Sequence, residues 1–150
     1  MGHFEEDIGY ALIHLVKKHR ILAEEALSSI GLHIAQDLIL FLLREEDGLS
    51  QSQLASRLKL ELPTVTKSIQ RMEQGGIVVR SRDEQDSRIS RVYLTEEGQK
   101  LYEPANRQWN SLEQRMLADF SIEERETFHR LIRKASSNLE QASGARSDKL

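Results

Sequence analysis

The sequence predicts a mainly α-helical chain that carries one small two-stranded β-hairpin near its middle. Three observations lead there. Apolar residues recur at three- and four-residue steps over most of the 150 residues, the spacing of a single buried helical face. Only Ile77-Val78-Val79-Arg80 and Ile89 through Leu94 are β-branched and alternating instead. Residues that start and stop helices fall between the helical runs, at Gly31, Asp47-Gly48, Ser50, Pro63, Gly75-Gly76, Thr95 and Ser121.

The first helix is expected from residue 5 to about 28. Ile8, Leu12, Leu15, His19, Leu22 and Ala26 form a narrow stripe of coiled-coil type, and Gly31 breaks it. A second helix over residues 34–44 is apolar nearly all round, so it should be buried on most sides. Asp47-Gly48 ends it. Ser50-Gln51-Ser52-Gln53 reads as a capping box, in which the Ser hydroxyl and the Gln amide each satisfy an orphan backbone N–H. The short third helix that follows turns Leu54, Ala55 and Leu58 inward.

A fourth helix starts near Leu62-Pro63, because proline is tolerated in a first turn. It runs to Gln74, where Gly75-Gly76 supplies a left-handed end. Val65, Ile69 and Met72 mark its buried side. At 100° per residue the opposite side carries Pro63, Thr64, Lys67, Gln70 and Arg71, a polar and basic face. The two strands follow, and the polar stretch Ser81 to Ser87 between them is expected to project as a mobile loop.

A fifth helix begins after Thr95 with Glu96 and Glu97 in its first turn, and Pro104 is expected to kink or interrupt it. Ser121-Ile122-Glu123-Glu124 is a second capping box, opening a sixth helix to about residue 141. Its stripe is Phe128, Leu131, Ile132, Ala135 and Leu139, and the tail from Ser143 is expected to fray.

Composition excludes several kinds of chemistry. With no cysteine, the chain has no disulfide, thiolate metal site, thiol nucleophile or cysteine-based oxidant sensor. Its longest apolar run, Leu38 through Leu43, is far short of the roughly 20 residues of a membrane span, and Glu5, Glu6 and Asp7 stand where an export signal would be basic. A reduced, soluble, cytoplasmic protein is expected. A glycine-rich phosphate loop, a nucleophile elbow and an acid pair on one helical face are all missing, so no enzyme, catalytic residue or cofactor is expected. His14 and His19 stand five apart and do not share a face, so no metal site is expected either.

The net charge of −3 hides a split. Residues 51–91 hold eight basic and five acidic side chains, whereas the remainder holds thirteen and nineteen. A basic middle between acidic ends suits a module that faces phosphate.

Two short helices joined by a brief turn, followed by a basic hairpin, make a winged helix-turn-helix, whose second helix enters the major groove. Thr64, Lys67, Gln70 and Arg71 supply donors for base edges and phosphates, and Thr66 borders that face. Ser50, Gln51 and Ser52 open the third helix, where N–H groups can hold a backbone phosphate. A polar helical face on its own is usually only solvated. Here the turn, the hairpin and the charge split fall in the same span and favour double-stranded DNA. A winged helix that meets an acidic protein is the alternative, and it would lack the steep salt dependence of DNA binding.

The hairpin carries a more specific signal. Gly48-Leu49-Ser50-Gln51-Ser52-Gln53-Leu54-Ala55, Pro63-Thr64-Val65-Thr66 and Gly75-Gly76-Ile77-Val78-Val79-Arg80 come first. Asp83, Asp86-Ser87-Arg88 and Val92-Tyr93-Leu94-Thr95-Glu96-Glu97-Gly98 complete the set. In these the chain resembles the MarR family of bacterial transcription regulators. The resemblance implies that Arg88, oriented by Asp86, enters the minor groove and reads its width, with Arg80 and Arg82 gripping phosphates beside it. Glu61 departs from the serine-like cap common in the family, which leaves the first-turn contacts of the recognition helix open.

The organisation expected is a DNA-binding lobe over residues 32–100, with residues 1–31 and 101–150 as dimerisation helices. The stripes of the first helix (Ile8, Leu12, Leu15) and the sixth (Phe128, Leu131, Ile132, Ala135, Leu139) lack a partner within the core. Packing of both on the fifth helix is the alternative to a homodimer. The resemblance also implies a repressor on a pseudo-palindromic operator, acting at the bacterial nucleoid. It further implies release by a small aromatic or phenolic effector in a crevice between the dimer helices and the lobe. His19, His33 and Trp109 are the candidates to line that crevice, although such histidines are more often simply packed or capping and such a tryptophan more often core.

Overall fold

The computed structural model describes residues 2–147, with side chains through residue 143. A 3₁₀ turn (Phe4–Glu6) precedes α1 (Ile8–Ser28), α2 (Gln36–Glu45), β1 (Leu49–Ser50), α3 (Gln51–Leu58) and α4 (Leu62–Gln74). Then come β2 (Val78–Arg82), β3 (Ser90–Leu94), α5 (Glu96–Met116) and α6 (Ile122–Ser147). The chain divides into two units, residues 1–112 and 113–150.

In the first unit, α2, α3, α4 and the inner face of the sheet close over one core. Ile39, Leu40, Leu54, Val65, Ile69, Met72 and Val92 have no exposed surface, so the i, i+4, i+7 set of α4 is its buried side as its spacing requires. α2 buries six of its ten residues. Three helices end alike. At the end of α4, Ile77 N–H bonds Met72 O (2.8 Å) and Gly76 N–H bonds Glu73 O (3.1 Å), with Gly76 at φ +74°. Leu32 N–H reaches Leu27 O after α1, and Leu60 N–H reaches Ala55 O after α3, where Lys59 takes the left-handed position at φ 55°.

The sheet has three strands in the order β1-β3-β2, all antiparallel, where the hairpin alone was expected from sequence. The extra strand is Leu49–Ser50, paired to Val92 and Arg91. Two residues are too few for alternation to register. The hairpin also runs longer: β2 includes Ser81 and Arg82, and Arg82 pairs with Ser90, so the connection is 83–89 rather than 81–87. Side-chain carboxylates lace that connection, as described below.

Thr95 knots the sheet to α5. Its N–H bonds Ile77 O (3.0 Å), its hydroxyl donates to Gly76 O (2.5 Å), and Oγ1 accepts the Gly98 N–H (3.0 Å). A Cβ on Gly98 would lie 2.2 Å from Ile77 O, so only glycine permits this approach.

Three helical expectations are corrected. The first helix starts at Ile8, because Asp7 is extended (φ −70°, ψ 139°) and separates it from the 3₁₀ turn. α5 is not interrupted at Pro104: the ring removes one backbone hydrogen bond, and the helix is anchored on both sides of it by Gly98, Ala105 and Leu112, all buried. α6 extends to Ser147 rather than about 141, with the Ser143 hydroxyl donating to Leu139 O (3.1 Å) inside the helix, while residues 148–150 of the tail expected to fray lie outside the described residues. In the second unit Ser121 Oγ accepts the Glu124 N–H (3.1 Å), the cap its sequence announced.

Candidate nucleic-acid interface

With Val65, Ile69 and Met72 anchored, the helical period alone sends Pro63, Thr64, Lys67, Gln70 and Arg71 outward, and all five are exposed. Among the described residues, Lys67, Gln70 and Arg71 have no hydrogen-bond or ion-pair partner. Their donors are available. Glu61 stands at the N-cap without a side-chain cap bond, and Pro63 in the first turn fixes the helix start instead.

At the start of α3 both halves of the capping box are made: Ser50 Oγ accepts Gln53 N–H (3.1 Å) and Gln53 Oε1 accepts Ser50 N–H (2.9 Å). The N–H groups of Gln51 and Ser52 have no partner within the helix by its geometry. Thr66 donates its hydroxyl to Gln51 Oε1 (2.9 Å), so it joins α4 to α3 inside the lobe. The opening of α3 and the hairpin tip line one open groove of about 470 Å³, with Ser50, Gln51 and Ser52 on one wall and Arg88, Ser90 and Arg91 on the other.

In the wing, Asp86 holds Arg88 at three points. Oδ1 accepts the Arg88 backbone N–H (3.1 Å) and Nε–H (3.0 Å), and Oδ2 accepts Nη2–H (3.0 Å). The guanidinium is oriented yet 89% exposed. This contact holds the Asp86 carboxyl below the usual carboxylate range.

Sequence reasoning gave no role to three neighbours. Asp83 accepts Arg91 Nε–H (2.9 Å) and the N–H groups of Asp86 (3.0 Å) and Gln85 (3.3 Å), while Arg91 also donates to Gly48 O (3.0 Å). Arg91 lowers the Asp83 pKa. Glu73 takes Arg80 by Nε and Nη2 at 2.8–3.2 Å, so Arg80 is engaged, whereas Arg82 is exposed and has no partner among the described residues. Glu73 and Arg80 stand seven residues apart across Gly75-Gly76, and Asp83 and Arg91 eight apart across the connection, so these pairs appear only once the chain has turned.

The candidate effector residues separate. His19 and Trp109 are half-buried, with ring centroids 6.0 Å apart, and Phe41 meets Trp109 edge-on at 6.0 Å. His33 is exposed in the turn before α2, where its N–H bonds Gln36 Oε1 (3.2 Å); no ring contact joins it to the other two. The hollow beside Trp109, lined by Ala23, Ala26, Leu27, Gln108 and Leu112, measures about 10 Å³, room for no more than one water.

Trp109 Nε1–H donates to Asp37 Oδ2 (2.8 Å), and Asp37 is 2% exposed. Its Oδ1 has no hydrogen-bond partner of good geometry among the described residues. Burial pushes this carboxyl above its ordinary value, although the Trp109 N–H and nearby backbone N–H groups pull the other way. An acid at the start of an otherwise apolar helix is the signal for Asp37 in the sequence.

In the first unit Ile8 (87%), Leu12 (53%) and Leu15 (36%) are exposed. In the second, Leu131 (48%), Ile132 (46%), Leu139 (70%) and Ala135 are exposed, with Phe128 half-buried on Phe120. Among the described residues no group of three His, Cys, Asp or Glu could hold a metal ion, and no helix is long and apolar enough to cross a membrane.

The MarR family pattern matches residues 32–90, from the turn before α2 to the start of β3. The uncharacterized HTH-type transcriptional regulator YwoH of Bacillus subtilis is 38% identical over 126 residues, 81% of this chain and 91% of that protein. The PcaV transcriptional regulator of Streptomyces coelicolor, solved with its natural ligand, matches with a TM-score of 0.83 at 26% identity, over 91% of this chain and 96% of that one. BpsR of Bordetella bronchiseptica, whose DNA binding is regulated by 6-hydroxynicotinic acid, matches with a TM-score of 0.84 at 25% identity, over 91% and 97%. These relatives are regulators of transcription and not enzymes. With the helix-turn-helix, the Asp86-held arginine and this similarity together, the chain belongs to the MarR family of transcriptional regulators.

Proposed function

We propose that the protein is a homodimeric repressor that binds a pseudo-palindromic operator in double-stranded DNA and is released by a small aromatic or phenolic effector. The observation that carries the reading is the pairing of two donor sets on one lobe: the exposed face of α4, whose Lys67, Gln70 and Arg71 have no partner among the described residues, and the exposed, Asp86-oriented Arg88. The face Thr64, Lys67, Gln70 and Arg71 reads the major groove, Arg88 enters the minor groove, and Arg82 with the first turn of α3 (Ser50, Gln51, Ser52) takes phosphates. The lobe is residues 32–100. The exposed stripes of α1 and α6 bury against a second copy, which sets two wings on half-sites about one helical turn apart, roughly 34–36 Å. The ligand-responsive relatives support the effector. His19 and Trp109, which share a ring contact, are its candidate neighbours, with His33 set apart from them.

The test is fluorescence anisotropy on the duplex that the protein selects from a random-sequence library, with a scrambled duplex as control, over a range of salt. Selective binding to a palindrome with a steep salt slope is expected. Equal, weak binding to both duplexes would instead favour a winged helix that binds a protein.

A further inference from the structure

Beyond Val78 every residue of β2 is exposed, so apolar packing does not hold the outer strand of the wing to the recognition helix. The tie is ionic. Glu73, on the last turn of α4, receives the Nε and Nη2 edge of Arg80, and among the described residues no other side-chain hydrogen bond joins α4 to β2. The end of α4 makes this meeting possible: Gly76, at φ +74°, reverses the chain so that β2 passes back beside Glu73. Arg80 pairs with Val92, and the ladder ends at Arg82 with Ser90, so the grip lies two residues, about 7 Å, below the end of the ladder, with the 83–89 connection beyond it.

The three arginines on this side differ in state. Arg80, Arg82 and Arg88 line one polar groove with Glu73 and three serines. Arg82 has no partner among the described residues, Arg88 is held within the tip by Asp86, and Arg80 faces the helix. A guanidinium has a fixed planar fork, and a carboxylate that occupies one edge takes the place a phosphate would take.

We propose that Glu73 and Arg80 are a positioning pair: they set the wing at a fixed distance from the recognition helix so that Arg88 and the Thr64–Arg71 face engage one DNA site together. Arg80 is then not a phosphate contact, which departs from the role its family resemblance implies. The proposal rests on the DNA-binding reading and makes it more specific. Selective binding needs both elements in register at once, whereas non-specific attraction to phosphate does not.

The pair is tested on the selected and scrambled duplexes with Glu73→Gln, Arg80→Lys and the double variant. Arg80→Lys keeps the charge and loses the fork. Each single change is expected to weaken binding to the selected duplex about twofold to fivefold, the scale of a half-exposed ion pair. Binding to the scrambled duplex, the salt slope and the Tm should stay as in the unaltered protein, and the double variant should be no weaker than either single one. An Arg80 that grips phosphate gives the opposite pattern, with Arg80→Lys near the unaltered affinity and Glu73→Gln binding both duplexes as well or more tightly. Arg80→Gln would then also lower the salt slope by about 0.9. Either result overturns the proposal. Failure of the unaltered protein to select any duplex would overturn the DNA-binding reading itself, and that outcome is distinct from both.

Discussion

Arg88 shows what a fully exposed arginine gains from a carboxylate two residues away. Its pair with Asp86 adds little to stability, as exposed pairs do, but it removes the freedom of a long side chain before DNA arrives. Arg88→Ala should therefore leave Tm unchanged while weakening operator binding roughly tenfold and lowering the salt slope by about 0.9, most clearly on sites with a narrow minor groove. An unchanged affinity and slope would show that the wing does not touch DNA. Asp37 makes a prediction of another kind. Its folded pKa lies above the ordinary 3.8, so the folded chain keeps the proton over a pH range in which the unfolded chain has released it. This contribution is whole below about 3.8 and is lost as pH rises through the raised value. Asp37→Asn, which can still accept the Trp109 N–H, should remove that loss, so its Tm relative to the unaltered protein should rise across this window. A constant difference in Tm would show that Asp37 does not titrate there. Asp83 and Asp86 run the other way: their lowered pKa values keep the wing laced above the ordinary carboxylate range and release it only as pH falls through the lowered values.

At the scale of elements, the sequence was most readable where a local rule acts alone. The capping box at Ser50, the single Ser121 cap bond to Glu124 N–H, the Gly75-Gly76 stop and the buried side of α4 all follow from residues within two helical turns of one another. The extra strand was hidden because Leu49-Ser50 owes its conformation to β3, more than forty residues away, and carries no pattern of its own. Pro104 does not interrupt α5, because the helix around it keeps its remaining bonds. The ion pairs that brace the wing were hidden too, because Glu73 meets Arg80, and Asp83 meets Arg91, only after the chain has turned. Two substitutions test the element ends. Lys59→Gly should stabilise the fold by about 1 kcal/mol, by relieving a left-handed residue after α3. Gly98→Ala should lower Tm sharply, because its Cβ would meet Ile77 O at 2.2 Å and the root of the wing would have to shift. A Gly98→Ala protein with unchanged Tm would mean that α5 and Ile77 do not approach as described.

For the whole molecule the question is what covers the exposed stripes of α1 and α6. A second copy would bury residues as exposed as Ile8 and Leu139, and sedimentation of the unaltered protein should then give a dimer. Leu131→Asp combined with Ile132→Asp should shift it to monomer and lower affinity for a two-half-site duplex about 100-fold or more, through loss of bivalent binding. A monomer that still bound that duplex tightly would rule the pairing out. The order of the helices and the place of the wing were legible from end to end, because alternation and period survive without a structure. The partners of the outer stripes were not, since a seam on one chain does not name what fills it.

The hydrogen bond between Trp109 and Asp37 has an optical consequence. Trp109 is the single tryptophan of the chain, so under selective excitation essentially all emission comes from the place where α2 meets α5. An indole that donates to a buried acid, with an imidazole 6.0 Å from its ring, should change colour and brightness when that joint loosens or that acid ionises. The protein thus carries its own dye. An effector, a duplex or a change of pH that reaches this joint can be followed in stopped flow without a label.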